Sequence, residues 1–102
     1  MARPHILFDK TEVIAMYMEG RNFRSLNMQY SDIQRIQFDP FEERRLFGKA
    51  PSEKITIITR KTTTPIVYTR GKEKPFWDEY KRKLEKFAKD NSITFQSNVK
   101  EG

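Results

Sequence analysis

Residues 74–90 read KPFWDEYKRKLEKFAKD, and this stretch decides the fold. Phe76, Trp77, Tyr80, Leu84, Phe87 and Ala88 recur at spacings of three and four, which gathers them on one stripe of an α-helix. Pro75 suits the first turn, where the N–H it lacks has no intrahelical partner. Asp78–Arg82, Glu79–Lys83 and Glu85–Lys89 place acid before base four residues apart, each pair adding roughly 0.2–0.5 kcal/mol. Asp90-Asn91-Ser92 supplies the stop, with Asn91 expected to take the left-handed conformation that ends many helices. A helix with one bulky apolar stripe needs a surface to cover.

The residues before Arg70 supply that surface as strands. Ile55, Ile57 and Thr59 alternate with Thr56 and Ile58, and Ile66 and Tyr68 alternate with Val67 and Thr69. Arg60 to Pro65 joins these runs as a hairpin connection. Leu26, Met28 and Tyr30 alternate with Asn27 and Gln29; Ser31-Asp32 turns the chain, and Ile36 and Phe38 resume period two. Val13, Ala15 and Tyr17 form another alternating set, ended by the turn Glu19-Gly20-Arg21-Asn22. Ile6–Phe8 and Ser92–Gln96 are short candidate strands. Asp39 to Glu53, with Pro40, Gly48 and Pro51 around Glu42-Glu43-Arg44-Arg45, reads as a long loop, with at most a short strand at Arg45–Phe47. Phe41, Leu46 and Phe47 sit within it, and leaving all three in water would forgo about 1.5–3 kcal/mol of burial for each. At least two of them are therefore expected to be buried, against the body of the domain or in a neighbouring subunit.

The fold class expected is mainly β with one C-terminal helix (α+β), in a single domain over residues 1–102. Its core runs from 6 to 96 and a frayed tail from 97 to 102. A chain of 102 residues can bury one modest core without a metal or disulfide. With no cysteine, thiolate metal sites and thiol nucleophiles are excluded, and the composition is compatible with a reducing cytoplasm, the expected location. Neither a targeting segment nor a transmembrane segment is expected, since the longest apolar run, Val13–Met18, is far too short to span a bilayer. The formal charge of +6 is uneven. Residues 1–51 carry eight Lys/Arg against seven Asp/Glu, and residues 52–102 carry twelve against seven. That bias favours acidic partners, although lysine on a small helix also serves solubility.

No catalytic constellation is visible. His5 is the sole histidine and reads as a surface or strand-edge residue; no carboxylates cluster at ligand spacing, and the four glycines are isolated. A non-enzymatic protein without cofactor or metal is expected.

The phrase Tyr30-Ser31-Asp32-Ile33-Gln34-Arg35-Ile36 resembles the turn-and-strand phrase of bacterial pleckstrin-homology-like domains. Leu46-Phe47-Gly48-Lys49, the Lys54–Arg60 and Pro65–Arg70 strands and a closing helix bearing Trp77 follow the same order, over roughly residues 11–90. The resemblance implies a bent antiparallel barrel of six or seven strands capped by the helix, acting as a non-catalytic binding or adaptor module.

Candidate contacts follow from both readings. Phosphoinositide-binding members of that family use a basic signature across the first strand turn. Here the matching region offers Arg21 and Arg24, opposed by Glu19 and at a different spacing, so little binding to anionic vesicles is expected. Phe41, Arg44, Arg45, Phe47 and Lys49 are the loop candidates for an interaction surface. Nucleic acid is an alternative partner, with Phe23 beside Arg24 or Tyr68 near Arg70 as a stacking face. Asp78, Glu79, Glu85 and Asp90 break any phosphate-tracking stripe on the helix, which favours a protein partner or self-association.

Overall fold

The alternating segments form seven strands in a computed structural model that describes residues 3–99. Strands β1 (Ile6–Phe8), β2 (Glu12–Glu19) and β3 (Asn22–Gln29) make one antiparallel sheet in the order β1-β2-β3. A 3₁₀ turn, Tyr30–Asp32, then re-aims the chain. Strands β4 (Ile33–Arg45), β5 (Gly48–Thr59) and β6 (Ile66–Thr69) form a second sheet, which β7 (Thr94–Ser97) extends to the order β6-β5-β4-β7. Between β6 and β7, a 3₁₀ turn at Lys74–Phe76 runs into helix α1 (Trp77–Asp90). Mainly β with one C-terminal helix is thus the architecture. Among the described residues, no helix is long and apolar enough to cross a membrane.

The core is a single cluster. Val13, Ala15 and Met28 from the first sheet meet Ile36, Phe38, Ile55, Ile57, Ile66 and Tyr68 from the second. Trp77, Tyr80, Leu84, Phe87 and Ala88 of α1 pack on them, as the helical spacing predicts. Of the three expected ion pairs on the helix, Glu79–Lys83 forms at 3.3 Å, and an unforeseen Lys86–Asp90 pair lies at 2.6 Å. Asn91 keeps a negative φ, and its side-chain amide donates to the Phe87 carbonyl at 3.0 Å. The left-handed position passes to Ser92, at φ 56°.

Three expectations are corrected. The antiparallel barrel is not closed: the two sheets stay open, and one is mixed because β7 runs parallel to β4. Parallel pairing needs a long crossover, which α1 supplies between β6 and β7. The expected loop from Asp39 to Glu53 is a continuous hairpin, paired from Asp39↔Lys54 to Arg45↔Gly48 around a two-residue turn, Leu46-Phe47. Its prolines fit because each sits where an N–H is not needed. The Asn98 N–H bonds Phe38 O at 2.8 Å, so even-numbered residues of β4 face β7, which ends before Pro40. The Arg70 N–H bonds Glu53 O at 3.0 Å, so odd-numbered residues of β5 face β6, and Pro51 lies beyond its reach. Finally, Phe41 is half-buried, while Leu46 and Phe47 stand fully exposed at the turn, so of the two placements expected for them the structure removes burial against the body of the domain: the hairpin projects. Residues 97–99, expected to fray, make contacts: Asn98 bonds β4, and Val99 packs on the core. Residues 100–102 lie outside the described ones.

Candidate functional site

The open side of the molecule is a seam between the two sheets. Strand β6 is the outer strand of its sheet, and β1 pairs with β2 over Val13–Ala15, so Tyr17–Glu19 have β3 on one side and no strand on the other. These two uncovered edges face a common groove of about 800 Å³, lined by Met16–Gly20 on one side and Ile66–Thr69 on the other.

Ladder phase shows which backbone groups point into it. In an antiparallel pair, bonded and non-bonded residue pairs alternate. The Arg70–Glu53 bond therefore places the β6 ladder bonds on Tyr68–Ile55 and Ile66–Ile57, and turns the Val67 N–H and C=O outward. On β2, the Met16 N–H bonds His5 O at 2.7 Å and the Asp9 N–H bonds Glu12 O at 2.8 Å, so even-numbered residues face β1. Met18 continues that series past the end of β1, and its N–H and C=O point into the seam.

A polar floor joins the two edges. The Tyr68 hydroxyl donates to Met16 O across the seam at 2.8 Å. The His5 N–H, which would bond Met16 O if β1 continued, donates instead to the Tyr80 hydroxyl at 2.7 Å. The Tyr80 hydroxyl donates to Glu73 Oε1 at 3.3 Å, and His5 Nδ1 lies 2.7 Å from the same oxygen. Two tyrosine hydroxyls thus replace one rung of the β1–β2 ladder, and the first strand peels away from the second. Burial, reinforced by the Glu73 charge, pushes both phenols up, Tyr80 to about 12 even though the His5 N–H works in the other direction. Both stay neutral donors near pH 7. The Thr69 hydroxyl, also on the groove, is buried without a hydrogen-bond partner among the described residues.

The rim is apolar. Met18 and Phe23 are directly opposite each other on β2 and β3, and Val67 flanks them from β6; they are 59%, 61% and 50% exposed. Inward and outward positions alternate, so Val13 and Ala15 are buried while Met18 faces out. Of these groove residues, sequence reasoning considered Phe23 and Tyr68 only as a stacking face. It missed Met18 and Glu73 altogether. The available signal for Met18 and Val67 was large apolar residues at the outward phase of their strands.

The basic turn candidates and the loop candidates lie elsewhere. Arg21 is exposed in the β2–β3 turn, and Arg24 is exposed on β3, 3.6 Å from Glu19. Phe41, Arg44, Phe47 and Lys49 belong to the projecting β4–β5 hairpin, with Arg44 directly opposite Lys49. Arg45 pairs with Gly48, and its side chain lies outside the described residues. The two groups occupy different sheets. Among the described residues, no group of three or more histidine or acidic side chains is placed to hold a metal ion. No protein-family model, curated protein or solved structure matches the chain.

Proposed function

We propose that this chain is a non-catalytic interaction module of pleckstrin-homology-like architecture that works through protein contacts, taking an extended segment of a partner protein into the β2–β6 seam. The observation that carries the reading is the pair of uncovered strand edges facing one groove. A strand laid there gains main-chain hydrogen bonds from Val67 on one side and Met18 on the other, with Met18, Phe23 and Val67 as apolar contacts for alternate side chains. Seven strands in two open sheets, with one helix after the sixth strand, are compatible with that architecture, and the inserted strand would bridge the two sheets.

Selection of short peptides from a random display library on the folded protein tests this. Enriched peptides should bind at high salt, since main-chain bonds and apolar contacts resist screening. Val67→Pro removes only an outward N–H, which an edge strand tolerates. It should weaken those peptides roughly tenfold, the worth of one well-made hydrogen bond at an interface, with the melting temperature nearly unchanged. Peptides whose binding ignores Val67→Pro, or which perturb only residues outside the seam, would refute the reading. Retention on single-stranded nucleic acid in place of peptides, lost as salt rises, would favour the nucleic-acid alternative.

A further inference from the structure

The tip of the β4–β5 hairpin is a second surface, independent of the seam. Leu46 and Phe47 occupy a two-residue turn and are 90% and 94% exposed, far beyond any other large apolar side chains among the described residues. Gly48, at φ 101°, lets the chain reverse there. Immediately behind the turn, Arg44 and Lys49 are exposed and directly opposite each other across the ladder. Like charges at directly opposed positions destabilise a hairpin, so this arrangement brings no benefit to the isolated fold. Glu43 is held back by the Ser52 hydroxyl at 2.8 Å and the Gly71 N–H at 3.1 Å, while Glu42 lies a further pair from the tip, opposite Pro51. Those Glu43 bonds, with one from Arg70 Nη2 to Pro51 O at 3.0 Å, brace the base of the hairpin.

We propose that this tip inserts Leu46 and Phe47 into the surface of an anionic phospholipid bilayer, with Arg44 and Lys49 against the head groups. Shape decides between a bilayer and a protein. A stable protein interface covers about 800 Å² on each partner, more than the side chains of one convex two-residue turn present. A bilayer needs no matching concavity. Each large apolar side chain that enters the acyl boundary raises affinity by about tenfold or more, and each cation near an anionic surface adds about fivefold. The expectation of little vesicle binding considered only Arg21 and Arg24, with the loop phenylalanines expected to be buried against the body or in a neighbouring subunit and so withheld from a bilayer. The projecting hairpin removes the first of those placements for Phe47.

Co-sedimentation of the whole chain with vesicles tests the proposal, using phosphatidylcholine alone or phosphatidylcholine carrying phosphatidylglycerol, at about 0.15 M salt. The protein should pellet with the anionic vesicles only. The double variant Leu46→Ser/Phe47→Ser should lose at least about tenfold in affinity, and Arg44→Glu/Lys49→Glu likewise. Both should melt as the parent does. Arg21→Glu/Arg24→Glu should bind as the parent. The proposal is overturned if the parent stays in solution, or if the serine variant binds as tightly as the parent, which would leave only general attraction of a basic protein. It is also overturned if the serine variant shifts an oligomer toward monomer in sedimentation without lipid, which would make the tip a protein contact.

Discussion

Glu53 shows how one side chain ties the hairpin to the helix. Its Oε1 accepts the Trp77 indole N–H at 2.9 Å and Lys81 Nζ at 3.0 Å, while Arg70 Nη1 lies 3.9 Å from Oε2. Partial burial works against ionisation, but the indole, Lys81 and Arg70 together outweigh it and hold the carboxyl below the ordinary carboxylate range. A depressed folded-state value means that the ionised form stabilises the fold. That contribution is complete above the unfolded-state value and is lost as pH falls through the folded one. Glu53→Gln should therefore flatten the acid limb of stability against pH, measured by urea unfolding at a series of pH values. Superimposable acid limbs would show that the carboxylate contributes nothing through its charge. Trp77 itself was legible in the sequence as the anchor between helix and sheet, and it is 3% exposed. Glu73 was not. A buried glutamate is recognisable only through its partners, and here they come from His5, distant in sequence, and from Tyr80 on the helix.

At the scale of elements, α1 and the short alternating strands were readable because period and burial agree in them. The β4–β5 hairpin was not. Proline and a run of charges mark loops when each residue is taken alone, whereas Pro40 and Pro51 are permitted by which neighbours are missing on either side. That is a property of the sheet, absent from local sequence. Gly48, read from sequence as one mark of a long loop, follows a two-residue turn between paired strands. At φ 101° a Cβ is strained although it would meet no neighbour within 4 Å. Gly48→Ala should thus cost about 1–2 kcal/mol from backbone conformation alone, read as a lower midpoint in urea with an unchanged slope. An unaltered midpoint would mean that the hairpin end relaxes freely, and the tip would lose its fixed presentation. The parallel strand β7 was foreseen as a short strand but not in its direction, because its partner is set by where α1 delivers the chain.

For the whole molecule, the sequence reading gave the mainly β body and the closing helix but left the sheet arrangement and the place of contact open. Neither open edges nor a projecting tip has a local signature, since both depend on which strands are absent from a neighbour's side. The two proposals assign the seam and the hairpin tip different partners, an extended protein segment and an anionic bilayer, and each has its own test. Strand addition in the seam requires the Met18 and Val67 backbone groups to be uncovered in the free protein. Residue-resolved amide hydrogen exchange reads this directly. Free protein should show rapid exchange at Met18 and Val67 beside slow exchange at Ala15 and Tyr68, with Met18 and Val67 becoming protected when a selected peptide is bound. Slow exchange at Met18 and Val67 in the free protein would contradict the account, because the seam would already be closed.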